Sequence, residues 1–316
     1  MEQNTIAIIW DFDKTLISGY MQDPIFKHYR VDAQMFWNEV NSLADRYAKR
    51  GVKVNVETIY LNHMLTCVKQ GIFGGLNNKM LNNLGGKLEF YDGLPGILLD
   101  LKELVSSDEN YSKYNIHVEH YIVSTGLTAM IKGSKISEHV DGIWGSEFIE
   151  EPILSELEIK LADADDFLDK PIQQIGYIID NTSKTRAIFE INKGSNFSDY
   201  IDVNSKIDSK DRRVPFENMI YIADGPSDVP VFSVLKQYGG KTFAIYPKEN
   251  QLGFNQVNQL LKDGRIDMFA EADYSKGKTA YLWLMEQTKS IANSIFLKNE
   301  EAIKRSASSP PKHLSE

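Results

Sequence analysis

Residues Ile6-Ala7-Ile8-Ile9 run without a polar break into Trp10-Asp11-Phe12-Asp13-Lys14-Thr15. A short apolar run that stops at a polar cluster reads as a strand buried on both faces, as in parallel sheets covered by helices. Two acids at i and i+2 straight after such a strand can be aimed, with a backbone carbonyl between them, at a point beyond the sheet edge. In open α/β sheets that edge is where ligands bind.

The pattern then changes. Residues 22 to 90 carry no strand signal but several amphipathic helices: Phe36, Val40, Leu43 and Tyr47 share one face, and Val56, Tyr60, His63 and Cys67 another. Glycines at Gly71, Gly74, Gly75, Gly85 and Gly86 punctuate this block, and Asp92-Gly93-Leu94-Pro95-Gly96 turns into a helix near 95 to 105. Strand patterns resume at His120–Val123, Met219–Ala223, Thr242–Ile245 and Met268–Ala270, with helical stretches near 227 to 237, 250 to 262 and 277 to 297. This succession predicts an α/β fold: a Rossmann-like, mostly parallel sheet flanked by helices, with right-handed crossovers and an inserted α-helical domain. The expected organisation is a core of residues 1–18 and 91–297, a helical domain of 19–90 and a flexible tail of 298–316. Residues 194–215 are polar and turn-rich, which predicts a surface loop.

Composition narrows the function classes. The net charge of −9 argues against a general nucleic-acid surface, which needs clustered Lys and Arg. Cys67 is the only cysteine, so neither an intramolecular disulfide nor a multi-cysteine metal site exists. No apolar run reaches membrane-spanning length, and the residues before Trp10 do not make a secretory signal. The expectation is a cytoplasmic protein with no nucleic-acid or membrane partner; the oligomeric state is not readable.

Three further polar clusters fall at predicted strand ends or helix starts. Ser124-Thr125-Gly126 follows the second strand, Lys184 opens the helix carrying Ala187, Ile188 and Ile191, and Asp224-Gly225-Pro226-Ser227-Asp228 follows Met219–Ala223. Carboxylates, a hydroxyl pair and an ammonium meet the needs of phosphoryl transfer. One Asp can attack phosphorus, a second acid can move the proton, an oxygen-bound magnesium ion can screen the approaching anions, and N–H, O–H and Lys donors can hold the equatorial oxygens.

Asp11-Phe12-Asp13-Lys14-Thr15, Ser124-Thr125-Gly126, Lys184 and Asp224 to Asp228, in this order, resemble the four motifs of the haloacid dehalogenase (HAD) superfamily of phosphohydrolases. The match spans residues 6 to 230, with a sheet continuation to 297. The resemblance implies that Asp11 is the nucleophile and Asp13 the general acid/base. Ser124, with Thr125 and Gly126, would bind the substrate phosphate, and Lys184 would orient nucleophile and phosphate. Mg2+ would be held by Asp11, Asp224 and the Asp13 carbonyl, with Asp228 supporting through the second shell or the metal's waters. The helical block between the first and second motifs resembles the C1-type cap of the phosphoserine-phosphatase-like branch. About 57 residues between Gly126 and Lys184 are too few for the large α/β cap found elsewhere in the superfamily, although Gly142–Gly145 and the acidic run to Asp166 suggest some elaboration.

The resemblance implies a Mg2+-dependent phosphatase acting on a small phosphorylated metabolite, and the cap type suggests phosphoserine. A phosphotransferase using the same aspartyl-phosphate, or a catalytically weak binding or regulatory protein on this fold, is the alternative. At single positions, Ser124 and Asp228 have the competing role of helix caps, and Lys193 is the alternative cation. Tyr20, Gln22, Arg46 and Lys53 are candidate substrate contacts. Ala223, Pro226 and Ser227 depart from the usual fourth motif. Other motifs fail: Gly277-Lys278-Thr279 lacks the earlier glycine of a phosphate-binding loop, no Gly-x-Ser-x-Gly elbow occurs, and His117 and His120 lack zinc spacing.

Overall fold

The computed structural model describes residues 3–152, 170–198 and 200–308. Strand β1 (Thr5–Trp10) is followed by helices α1 (Asp23–Tyr29), α2 (Ala33–Ala48), α3 (Val56–Lys69) and α4 (Asn78–Gly85). Next come α5 (Gly96–Ser106), α6 (Glu109–Ser112), β2 (His117–Leu127), α7 (Thr128–Gly133), β3 (Gly142–Ile149) and β4 (Gln174–Tyr177). The chain continues with α8 (Ser183–Lys193), β5 (Met219–Ala223), α9 (Val229–Gln237), β6 (Lys241–Tyr246), α10 (Gln251–Lys262), β7 (Met268–Glu271) and α11 (Thr279–Ser308).

The seven strands of the described residues form one sheet in the order β4-β3-β2-β1-β5-β6-β7. Every pairing is parallel except β3 with β4. The expected mostly parallel α/β sheet is therefore the observed one. Its centre follows from side-chain alternation: Ile6, Ile8 and Trp10 join the core on one face, Ala7 and Ile9 the core on the other. Strand order reverses at β1, which has β2 on one side and β5 on the other, so the carboxyl end of β1 opens a crevice between diverging connections. Asp11 stands at that point.

Asp32, Asn55 and Asn77 cap α2, α3 and α4 with side-chain oxygens, which starts these three inserted helices. Of the predicted apolar faces, Phe36, Val40, Tyr60 and Cys67 are buried, but Val56 is exposed, and Ile59 and Met64 add to the burial of α3. The last helix of the insertion is seated on the core by two glycines. A Cβ on Gly85 would lie 2.0 Å from the Met130 carbonyl oxygen, and one on Gly133 would lie 1.8 Å from that of Asn82. Only residues without a side chain let α4 and α7 approach this closely.

Two expectations need correction. The stretch from 298, expected as tail, continues α11 as helix to Ser308; Glu300 accepts hydrogen bonds from Lys113 and Tyr114, and Asn299 bonds to Asn4. Ser124-Thr125-Gly126 does not follow β2 but lies within it, where the register with β3 shifts between Val123 and Leu127. The elaboration after Gly142 includes β3 and β4, while the acidic run to Asp166 lies mostly outside the described residues. Among the described residues no helix is long and apolar enough to cross a membrane.

Candidate active site

Parallel pairing carries β1 one residue further than its last strand position, because the Asp11 N–H donates to the Ile222 carbonyl at 2.8 Å. The chain then turns tightly: the Phe12 carbonyl accepts from the N–H groups of Leu16 and its neighbours, and Lys14 takes a left-handed φ of 57°. This turn returns the Thr15 hydroxyl to Asp11, donating to Oδ2 at 3.1 Å. Asp13 accepts at Oδ1 from the Met21 N–H at 3.0 Å, which ties it to the entrance of the inserted helices.

Lys184 reaches the same place from α8. Asp180 accepts from the N–H groups of Thr182 and Ser183, starting the helix so that Lys184 falls in its first turn and is almost fully buried. Its Nζ donates to Asp11 Oδ1 at 2.7 Å and to Asp228 Oδ1 at 2.6 Å. Lys193, the alternative, instead donates to the carbonyls of Val203 and Ser205 in the polar loop. Asp228 makes no side-chain cap to α9; its carboxylate also accepts from Tyr221 Oη at 2.5 Å and Ser227 Oγ at 2.8 Å. Tyr221, inside an apolar strand pattern, gave no sequence signal for this role.

One oxygen each from Asp11, Asp224 and Asp228 lies within 4.8 Å of the others. Asp228 thus contributes an oxygen to this cluster, which the Asp13 carboxylate does not join. Hard carboxylate oxygens so spaced suit a divalent cation of the magnesium type. The electrostatics agree. Burial raises the Asp11 carboxyl to about 6 against the pull of Lys184, and burial with the charges of Asp11 and Asp228 raises Asp224 to about 7. Burial, then the Asp11 charge, also holds Asp13 well above the carboxylate range. Burial by itself would lower the Lys184 ammonium, but Asp11 and Asp228 outweigh it and the net shift is upward. Acid exceeds cation here, so the residues fit a further positive charge.

Ser124 is buried, and its Oγ accepts from the Gly126 N–H at 3.0 Å. It is not capping a helix in the expected way, since the N-cap position of α7 is Leu127, without a side-chain cap. A Cβ on Gly126 would lie 2.4 Å from the Met21 sulfur, so a larger residue here would displace the Met21 side chain. The Thr125 carbonyl accepts from Ser146 and, at 2.9 Å, from Tyr60 Oη of α3. Tyr60 is a site-wall residue that the sequence offered only as part of a helix face. His117 and His120 form no metal site with each other: His120 is buried between Trp10 Nε1 and the Leu98 carbonyl, and burial lowers its imidazole to about 3.

The sheet order, the helices inserted after β1 and the acids at its carboxyl end define a protein with the HAD superfamily fold. A HAD family hydrolase of Salmonella enterica serovar Typhi superposes with a TM-score of 0.53 at 14% identity, covering 90% of this chain and 72% of that one. A probable phosphoserine phosphatase from Vibrio cholerae gives a TM-score of 0.48 at 14% identity, over 92% of this chain and 67% of that one. No family model matches. The chain belongs to the same family as an uncharacterized protein of Borreliella burgdorferi, 40% identical over 289 residues, or 90% of this chain and 97% of the relative.

Proposed function

We propose that the protein is a magnesium-dependent phosphatase that hydrolyses a small phosphomonoester through an aspartyl-phosphate on Asp11. The observation that carries this reading is the buried Asp11–Lys184–Asp228 triad at the strand-order reversal, with a second, protonatable acid two residues on. Asp11 attacks phosphorus and the ester oxygen leaves with the proton that Asp13 holds. In the second half, Asp13 takes a proton from water as that water attacks the acyl phosphate, and Asp11 is released. Lys184 holds the attacking carboxylate in one orientation and offsets charge on the phosphoryl oxygens.

Asp11, Asp224 and the Asp13 carbonyl would hold Mg2+. When bound, the ion screens the repulsion between carboxylate and phosphate. Ser124, with Thr125 and Gly126, binds the phosphate, and the helices of residues 19–90 act as a cap that excludes bulk water. Asp228 serves as the fixed anchor of Lys184. A cytoplasmic setting suits the single, free Cys67.

Phosphate release from p-nitrophenyl phosphate tests the reading. Turnover should require Mg2+, stop on chelation, and fall by ~10^4-fold or more in Asp11→Asn. Undiminished turnover in that variant, or none by the intact chain across a phosphoester panel, would sink it. Added alcohol acceptors that become phosphorylated in place of water would favour the phosphotransferase.

A further inference from the structure

Resting on the phosphatase reading, we infer that the leaving group is an uncharged, hydroxyl-bearing alcohol of the sugar or polyol type, held by Gln22, Trp37 and Tyr60. Gln22 occupies the N-cap position of α1 but makes no cap bond. It is only 3% exposed, and its Oε1 has no hydrogen-bond partner. The amide is within hydrogen-bond reach of the Tyr60 hydroxyl, but its buried oxygen is left without a donor, at a cost of about 1–3 kcal/mol.

Its place in the molecule supplies a reason for glutamine here. Gln22 follows Met21, whose N–H is bound to Asp13, and its side chain lies beside the Tyr60 hydroxyl. That hydroxyl is fixed on the Thr125 carbonyl, within the cluster expected to bind phosphate. The Trp37 ring stands 5.8 Å from that of Tyr60 and 5.6 Å from that of Tyr20, and its Nε1 is also buried without an acceptor. One orphan acceptor and one orphan donor beside aromatic faces match hydroxyl groups on a carbon skeleton.

The charges nearby argue in the same direction. Glu57, one helical turn before Tyr60, is the acid of α3 that acts on the Tyr60 hydroxyl. Lys14 stands over the Tyr20 ring at 4.2 Å and donates to its hydroxyl at 2.7 Å, where it faces Asp224 and Asp13. Arg46, another sequence candidate, is exposed and lies 4.0 Å from Glu39. A leaving group with a carboxylate, such as serine, would find no cation among Gln22, Trp37 and Tyr60, whereas a neutral alcohol costs no charge desolvation.

The test compares kcat/KM of the intact chain with Mg2+ for sorbitol 6-phosphate, phosphoserine, 3-phosphoglycerate, phosphoethanolamine and p-nitrophenyl phosphate. The polyol ester should exceed the charged esters by about tenfold or more, the discrimination expected when buried polar groups are matched rather than left unpaired. Gln22→Met should lower the polyol value about tenfold more than the aryl value; Trp37→Phe, which keeps a smaller aromatic face and loses the N–H, should act in the same sense but less. Melting curves confirm folding of both variants. Preference for a charged ester, or equal slowing of aryl and polyol esters in both folded variants, overturns the inference while aryl turnover keeps the phosphatase reading. No turnover of any of the five esters by the intact chain overturns both.

Discussion

Two buried carboxylate–cation pairs lie on the same sheet and behave in opposite ways. Near the amino end of β2, Glu119 receives a two-pronged Arg213 guanidinium, the Tyr121 hydroxyl at 2.5 Å and the His117 ring at 3.3 Å. Burial works against its charge, but these donors together prevail and hold the carboxyl down at about 2. At the carboxyl end of β1, Asp11 has Lys184 and Thr15, shares Lys184 with Asp228, and is pushed up to about 6. The difference is one of completeness. Glu119 is closed by its own fold, and Arg213 brings the polar 194–215 insertion down onto the sheet. The β1 site is left short of positive charge by the same fold, which is what a site for a cation and a transferring phosphoryl group requires.

Removing each cation should separate the two roles. Lys184→Met is expected to reduce turnover of p-nitrophenyl phosphate by ~10^3-fold or more, because Asp11 loses its orientation and the site its fixed charge. Arg213→Met should leave turnover per folded molecule within about twofold while costing roughly 2–4 kcal/mol in urea unfolding, since it strands a buried Glu119 yet keeps some solvent contact. Equal losses of activity in the two variants would break the contrast.

This contrast was only half legible in the sequence. The strands β1 and β5 announced themselves because burial on both faces leaves an unbroken apolar run, and the acids that follow mark the edge. Nothing local marks Glu119 and Arg213 as partners, since 94 residues separate them and each reads singly as a surface charge. Tyr60 meets Thr125 across 65 residues for the same reason. Strands β3 and β4 were missed because glycines at Gly142, Gly145 and Gly176 interrupt their patterns and they lie at one side of the sheet. The end of α11 was missed because its anchors, Asn4 and Lys113, are distant in sequence.

The smallest effect, and the sharpest on the comparison, is the dependence of stability on pH. Asp11 and Asp224 have folded values of about 6 and about 7 against an ordinary 3.8, so between these limits the folded state holds protons that the unfolded chain has released. Stability contributed by this pair therefore falls as pH rises from about 4 to about 7. Glu119 has the reverse sign: its contribution is full above the ordinary 4.5 and is lost as pH falls toward about 2. Metal-free protein should thus melt at a higher temperature near pH 5 than at pH 8, and Asp224→Asn should flatten that slope, gaining ~1–2 kcal/mol at pH 8. Millimolar Mg2+ should raise the melting temperature by a few degrees at pH 8 and by less at pH 5, where protons already occupy the acids it would bind. A Mg2+ shift that is the same at both pH values, or that survives in Asp224→Asn, would show that the charge deficit at β1 is not what the ion answers.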